Sequence, residues 1–208
     1  MQFTILRRIR NAALHPLKVI SYVSWRIKCR LVTQVVINSE LFYKYMGDFY
    51  PDHLNHGNAM SYINDLASKW CVGTGIDIGA DNWPLAGAIP IQNNPEQNAY
   101  RLDNFRDASL DYVFSSHCLE HLENWQEALQ LWISKLKPNG ILFLYLPHES
   151  MKLWLAGGPW GLEHKWRPTL KSILPFLSSY GIEVLSFNDE RDSYWSFHII
   201  GKRVIKQD

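Results

Sequence analysis

Histidine side chains that could do proton chemistry follow short apolar segments of this chain. Ser115, Ser116 and His117 follow the apolar residues 112–114, His148 follows the apolar residues 141–146 and a proline, and His164 lies in the loop beyond. Imidazole titrates near neutral pH, so His148 and His164 could remove a hydroxyl proton as general bases. A metal site built on these two histidines is conceivable, but their spacing specifies none.

The hydrophobic pattern predicts the elements that must position these side chains. Strands are predicted over residues 76–78, 88–91, 112–114, 141–146, 183–187 and 197–202, and helices over 59–70, 125–136 and 170–180. Continuous apolar runs are typical of strands that are covered on both faces of a parallel sheet. The last two predicted strands flank a turn over residues 188–192, which indicates an antiparallel hairpin. The alternation predicts an α/β fold.

Polar residues also follow the first two predicted strands. In open α/β sheets, ligands bind beyond the carboxyl ends of the strands, where the strand order reverses. Asp77 and Gly79 stand at the end of the first strand, and a glycine there lets the backbone pass close to a ligand. The alternative is a buried aspartate whose oxygens bind backbone donors beside a tight turn. Gln92 stands at the end of the second strand.

Three segments, residues 75–80, 110–122 and 136–147, together resemble the class I (Rossmann-like) S-adenosylmethionine-dependent methyltransferases, in particular the methyltransferase type 11 family. The resemblance covers about residues 59–202. It implies a Rossmann-like, mostly parallel sheet with helices on both faces and a C-terminal antiparallel strand. It also implies S-adenosyl-L-methionine as the cofactor. A Leu136-Lys137-Pro138-Asn139-Gly140 turn before the apolar strand fits this pattern.

The resemblance assigns roles to individual positions. Asp77, Gly79 and Ala80 would contact the amino-acid end of the cofactor, and Gln92 would meet the ribose. The adenine would lie against Asp103, Asn104 and Phe105, although Asp103 could simply form a turn. Ser116 and His117 would line the pocket near the sulfonium, with His117 facing the methyl group.

Two departures from the family pattern bear on activity. Gln92 replaces the usual acid, and an amide accepts one hydrogen bond and donates another where a carboxylate accepts two. Ala80, Asp81 and Asn82 replace the usual later glycines. The alternative hypothesis is therefore a catalytically degenerate methyltransferase-fold protein that acts as a binding or scaffold subunit. A nucleotide-dependent oxidoreductase is disfavoured because no G-x-G-x-x-G run follows the first strand.

The acceptor hypothesis depends on residues 150–167, which are rich in tryptophan, glycine and histidine. Tryptophan faces stack well on sugar rings. We therefore expect O-methylation of a sugar, a glycan or another small-molecule hydroxyl. The alternative is that these tryptophans only pack the loop onto the domain.

Residues 1–39 contain basic residues and no acidic one, whereas the whole chain has a net charge of only +1. An amphipathic pattern predicts helices over residues 5–37, interrupted at His15-Pro16. This segment could meet an anionic partner such as the inner membrane surface, or pack on the domain or on a second subunit as a homodimer. Nucleic acid is less favoured because the remainder is acidic. We divide the chain into an extension with an aromatic, lid-like part (1–58) and a methyltransferase domain (59–208).

Three scattered cysteines without a CxxC spacing indicate neither a disulfide framework nor a zinc site. Free thiols fit a reducing compartment. No segment approaches the ~18 consecutive apolar residues that a membrane span requires. The expected location is the cytoplasm, with peripheral contact to the inner membrane surface as an extension of the basic-arm hypothesis.

Overall fold

The structure, a computed structural model, describes residues 16–204. The helix predicted before Pro16 lies outside these residues. The helices are α1 (Pro16–Arg30), α2 (Met60–Trp70), α3 (Trp125–Lys135) and α4 (Leu170–Ser179), with 3₁₀ helices at Asp52–His56 and Leu119–His121. The strands are β1 (Thr33–Ile37), β2 (Glu40–Tyr45), β3 (Asp48–Pro51), β4 (Gly75–Ile78), β5 (Ile89–Ile91), β6 (Leu110–Ser116), β7 (Leu136–Pro147), β8 (Ile182–Phe187) and β9 (Ser196–Arg203).

Six strands form the central sheet in the order β5-β4-β6-β7-β9-β8. The first four are parallel, and β9 runs antiparallel to both of its neighbours. This arrangement confirms the predicted α/β fold with its C-terminal antiparallel strand. The chain moves outward from β4 to β5 and then returns to the other side of β4 with β6. The strand order therefore reverses beside the carboxyl end of β4, which is where open α/β sheets bind ligands.

Alternating side chains of the central strands build a core on each face of the sheet. Val113 and Leu142 pack on one face with Trp132 of α3, in a cluster that also contains buried residues of α4. Phe114 and Phe143 pack on the other face, in a cluster that contains buried residues of α2. Helices therefore cover both faces, and this explains why β4 is buried along its whole length.

The segment after α1 corrects the helical prediction, because the helix ends at Arg30 and residues 33–37 form strand β1. Thr, Val and Ile side chains are branched at Cβ and fit a pleated strand better than a helix. Asn38 and Ser39 have φ angles of 51° and 69°. Such left-handed residues make the tight turn that returns the chain into β2.

Residues 41–58, within the aromatic, lid-like part of the extension, form regular secondary structure. They contain most of β2, all of β3 and the 3₁₀ helix Asp52–His56. Strands β1, β2 and β3 form a separate antiparallel sheet. Its buried Tyr43 and Tyr50 contact the rings of Trp160 and Trp154, so this sheet packs on the loop after β7.

Candidate functional site

Asp77 lies at the reversal of strand order, near the end of β4. Its side chain is only 2% exposed, and Oδ2 accepts a hydrogen bond from the Leu85 N–H at 2.7 Å. Burial raises the pKa of the Asp77 carboxyl to about 6, although the Leu85 hydrogen bond acts in the opposite direction. A buried carboxylate at a cavity wall is suited to binding a cationic group, because it has already lost most of its water.

Gly79 forms the turn after β4. Its φ is +82°, and a Cβ atom at this position would lie 2.5 Å from Cβ of Cys118 and 2.7 Å from its Sγ. Its N–H donates to the carbonyl of Ile91 on the neighbouring strand at 2.9 Å. A side chain is therefore excluded here on both conformational and steric grounds. The bare backbone lets the turn form part of a ligand-binding wall.

Two cavities adjoin at this turn, and both are lined by Gly79, Asp81 and His117. We call the two together the strand-end groove. The smaller cavity, about 140 Å³, is lined further by Gly57, Ala59, Met60, Asp77, Ala80, Trp83 and Ser116. The larger, about 670 Å³, is lined further by Ile91, Gln92, Asn93, Asn98, Ala99, Tyr100, Cys118, His121, Leu122, Leu162, Glu163 and Lys165. A groove of this shape suits a ligand with a small charged end and a bulky end.

Most of the predicted cofactor residues come together in the strand-end groove: Asp77, Gly79, Ala80, Gln92, Ser116 and His117. Gln92 donates from Nε2 to the backbone oxygen of Asp81 at 3.3 Å. Gln92 is also a lining residue of the larger cavity. The position predicted from the second strand therefore does reach the groove.

The predicted adenine contacts Asp103, Asn104 and Phe105 do not line the groove. The Asp103 side chain is 73% exposed and pairs with Arg101 at 2.8 Å, while Phe105 packs against the core. Instead, the preceding residues Asn98 and Tyr100 line the larger cavity. Sequence reasoning missed these two, since a polar loop gives no sign of which residue turns inward.

His117 is held on several sides. Its φ is 49°, and its N–H donates to the Tyr145 carbonyl at 2.8 Å. In the side chain, Nε2 lies 2.8 Å from Oγ of Ser196, and Nδ1 lies 3.4 Å from Oε1 of Glu120. The ring also meets Tyr145 and Tyr194 edge to face. These contacts fix the imidazole at the point where the two cavities meet.

Glu120 is fully buried beside this imidazole. Burial alone would raise the pKa of its carboxyl, but the neighbouring imidazoles, His117 foremost, hold that pKa below its ordinary value. Among the described residues, neither carboxylate oxygen has a hydrogen-bond partner. At 3.4 Å, the contact between Nδ1 of His117 and Oε1 of Glu120 is close but is not an aligned hydrogen bond.

The other two predicted catalytic histidines lie elsewhere. His148 contacts Oγ of Ser150 through Nδ1 at 2.8 Å and lines a separate pocket with Thr169 and Asn188. His164 lies beside the groove rather than in its lining, with its ring centroid 4.5 Å from that of His121. Burial lowers the pKa of His164 to about 4, so its imidazole is neutral at physiological pH. Of the three histidines, His117 lines the groove.

The tryptophans of the loop after β7 pack onto the domain, which is the alternative to the acceptor-stacking hypothesis. Trp166 stacks on Trp125 at 4.4 Å, and its Nε1–H donates to the Leu119 carbonyl at 2.9 Å. Trp154 and Trp160 contact each other and the tyrosines of the small sheet. The partly exposed tryptophan of the groove is instead Trp83, which sequence reasoning did not single out.

Comparisons with known proteins agree with this architecture. Residues 56–144 match the family model described as "Methyltransferase domain". No curated protein sequence matches at a significant level. A chain from the complex between the Haloferax volcanii Trm112 methyltransferase activator and its methyltransferase partner superimposes with a TM-score of 0.55 at 12% identity, over 75% of this chain and 96% of that chain.

Two further solved structures share the fold. An S-adenosylmethionine-dependent methyltransferase from Archaeoglobus fulgidus gives a TM-score of 0.52 at 17% identity, covering 70% of this chain and 95% of that chain. One from Mesorhizobium loti gives 0.52 at 12% identity, covering 72% and 100%. Residues 56–144 are thus similar to the methyltransferase domain of this family model, and the chain has the fold of the S-adenosylmethionine-dependent methyltransferases, a likeness that implies S-adenosylmethionine as the cofactor.

Proposed function

We propose that this chain transfers a methyl group from S-adenosylmethionine to a hydroxyl oxygen of a sugar, a glycan or another small molecule. The observation that carries the proposal is that Asp77 and His117, from neighbouring strands, line one cavity of the strand-end groove. The buried carboxylate of Asp77 can bind a cationic group of a ligand, and the fixed imidazole of His117 can accept a proton. The scaffold alternative is not favoured, because the groove keeps these groups despite Gln92 and the absent later glycines.

The residues of the groove fit the cofactor. Asp77 would accept hydrogen bonds from its ammonium group, and the bare backbone of Gly79 would lie against its amino-acid end. Gln92 would meet the ribose, and Asn98 and Tyr100 would flank the base in the larger cavity. When bound, S-adenosylmethionine supplies an electrophilic methyl group on a sulfonium. The chain contributes mainly position and orientation, which suffice for large rate gains in such displacements.

His117 is our candidate for the group that contacts the acceptor hydroxyl. Ser196 Oγ donates to the Tyr194 carbonyl at 3.1 Å, so it accepts from Nε2–H of His117. Nδ1 is then the nitrogen that takes up a proton, and the Glu120 carboxylate beside it stabilises the imidazolium. A buried carboxylate has the same orienting and stabilising effect on the histidine of hydrolytic triads.

Trp83 is the proposed platform for the acceptor. Its ring is 41% exposed and contributes to the smaller cavity, beside Gly57. A half-exposed indole at a cavity mouth can stack on the apolar face of a sugar ring. The packed tryptophans of the 150–167 loop no longer support the glycan hypothesis, so this platform replaces them as its structural basis.

The exposed face of α1 is the proposed partner surface. Trp25 Nε1–H donates to the Pro159 carbonyl at 2.7 Å, and this contact fixes one side of the helix to the domain. The other side exposes Val23 and Ile27 with Arg26 and Arg30. Apolar and basic side chains on one face suit an anionic membrane surface. An activator subunit is the alternative, since the Haloferax relative is found in complex with one, and a homodimer is the other.

Cofactor binding is the first test. Titration calorimetry with S-adenosylmethionine and S-adenosylhomocysteine should show micromolar binding, ~−8 kcal/mol. Asp77→Ala should weaken it by at least about tenfold, because a charged hydrogen bond is lost. Asp103→Ala is the matched control, since Asp103 is an exposed aspartate outside the groove. Absence of binding at millimolar ligand would refute the proposal.

The acceptor test follows from a positive result. Transfer of a labelled methyl group would be screened against sugars, oligosaccharides and other hydroxyl compounds. For a sugar acceptor, Trp83→Ala should raise KM with little change in cofactor affinity. If only nitrogen or thiol acceptors are methylated, the hydroxyl assignment is wrong while the cofactor assignment stands.

A further inference from the structure

We propose that Glu120, His121 and His164 bind a divalent transition-metal ion at the edge of the strand-end groove. Each of these residues can offer one ligand atom, a carboxylate oxygen or an imidazole nitrogen. The site shares Glu120 with the proposed pair Glu120–His117, and metal binding there does not depend on methyl transfer.

The geometry of the three side chains is close to that of a coordinated set. Their ligand atoms all lie within 4.8 Å of one another. The two imidazole rings are nearly perpendicular, with an interplanar angle of 86°. Bonds of about 2.0–2.2 Å to one tetrahedral metal ion would bring such atoms to roughly 3.3–3.6 Å apart. Small side-chain rotations are therefore enough to close the site.

Unsatisfied polar atoms point to the same ligand. Glu120 is 0% exposed, and both of its oxygens lack a hydrogen-bond partner among residues 16–204. Nδ1 of His164 is buried and equally without a partner there. Buried polar groups in native proteins are nearly always satisfied, so each exception needs an explanation. One bound cation would satisfy the carboxylate and this nitrogen together.

Two chain segments hold the ligands in place. Glu120 and His121 lie in the 3₁₀ helix that follows β6. The Lys165 N–H donates to the backbone carbonyl of Glu120 at 2.8 Å, which ties the loop that carries His164 to this helix. The indole of Trp166 adds a second bond to the same helix through Leu119. A site built from two tied segments is preorganised for binding.

The ligand types select the class of metal. Two imidazoles and one carboxylate suit Zn²⁺ and similar first-row ions, whereas Mg²⁺ and Ca²⁺ prefer oxygen ligands throughout. Three protein ligands leave at least one coordination position for water or a substrate oxygen. His121 and Glu163 line the larger cavity, so an open position would have access to the groove.

The test uses the full chain after treatment with a chelator. Calorimetric titration with ZnCl₂ should show one site, and Co²⁺ should give a visible absorption band of coordinated cobalt. His164→Gln and Glu120→Gln should each weaken Zn²⁺ binding by at least about 10- to 100-fold, the loss that even outer-sphere partners cause. His56→Gln is the control, because His56 is an exposed histidine that pairs only with Asp52 among the described residues.

The outcomes separate the site from adventitious binding. Stoichiometric binding that both site variants lose and His56→Gln keeps supports the proposal. If the wild-type protein binds no stoichiometric Zn²⁺ or Co²⁺, the proposal is wrong, and Glu120 serves only as the partner of His117. Equal losses in all three variants would assign the binding to surface histidines and would also overturn it. Far-ultraviolet circular dichroism of each variant checks that the fold is kept.

Discussion

The space that a side chain at position 79 would need is filled by Cys118, whose Cβ lies 2.5 Å from the place of the missing Cβ atom. The two residues follow neighbouring strands, β4 and β6, and they close the sheet end under the groove. Cys118 therefore fixes how the glycine turn must run. Residue 79 tolerates no larger group without moving either the turn or the segment that carries His117.

We expect Gly79→Ala to lower the free energy of unfolding by about 1–3 kcal/mol, from strain at φ > 0 and from overpacking. Cofactor affinity should fall with it. A double-mutant cycle with Cys118→Gly checks the cause by urea denaturation. In the double variant, Cys118→Gly should restore the part of the unfolding free energy that is lost to overpacking, but not the part lost to strain at φ > 0. If the two single-variant changes in unfolding free energy simply add, positions 79 and 118 do not interact.

Asp77 should make stability depend on pH. Its pKa is raised by burial to about 6, so the folded state binds the proton more tightly than the unfolded chain does. The contribution of this group to stability is fully present below about pH 4 and is lost as pH rises through about 6. Asp77→Asn should remove this dependence and increase stability at pH 7 by about 1–3 kcal/mol.

The measurement for Asp77→Asn is urea denaturation across pH 4–8, beside calorimetry with the cofactor. The variant should gain stability while it loses cofactor affinity, which is the trade-off expected of a functional carboxylate. Asp103→Asn, at an exposed aspartate, should change neither. A wild-type protein whose stability is flat between pH 4 and 6 would contradict the assigned environment of Asp77.

Ser196 should act on catalysis through His117. Ser196→Ala removes the acceptor of Nε2–H, so the imidazole loses its fixed orientation. Once an acceptor is known, we expect kcat to fall by about 10- to 100-fold with an unchanged Kd for the cofactor. Ser186→Ala is the matched control, because Ser186 contacts His198 in the same sheet at 3.4 Å. Equal effects of the two changes would indicate a general loss of stability.

The exposed face of α1 gives a membrane prediction. Sedimentation with vesicles that contain phosphatidylglycerol should exceed that with neutral vesicles and should weaken with salt. Arg26→Gln with Arg30→Gln should reduce it, and so should Val23→Ser with Ile27→Ser. Leu185→Ser on β8 is the control for an exposed apolar side chain. Binding that ignores lipid charge would argue against the anionic-surface proposal.

Among residues 16–204, no helix is long and apolar enough to cross a membrane. The vesicle experiment therefore tests attachment at the surface of the bilayer. It uses the full chain, so that the basic residues before Pro16 also contribute.

The central strands could be predicted from the sequence because burial on both faces leaves continuous apolar runs, as in β4 and β7. Strand β1, residues 33–37, could not be predicted, because the spacing of its apolar residues continues that of α1. Periodicity alone does not distinguish a short strand from a helix. The left-handed turn at Asn38 and Ser39 makes residues 33–37 the first strand of a hairpin. Neither residue is glycine, the residue that usually indicates such a turn in a sequence.

The groove-lining residues next to strand ends could be predicted for the same local reason, because Asp77, Gly79 and His117 stand where the strands end. Tyr100 was missed because the path of a polar loop depends on contacts elsewhere, here the bond from the Asn124 N–H to its hydroxyl at 3.1 Å. The approach of His164 to Glu120 depends on packing between segments distant in sequence. No local pattern encodes such a contact.

Strand β9 lies inside the sheet although it is the last described strand in the chain. It pairs with β7 and β8, and its first residue, Ser196, is the partner of His117. During synthesis, the edge of β7 that pairs with β9 therefore stays unpaired until residues 196–203 have left the ribosome. The His117 imidazole would acquire its orientation only at that stage. A nascent chain that stops earlier would therefore expose an unpaired strand edge and leave this histidine without its serine partner.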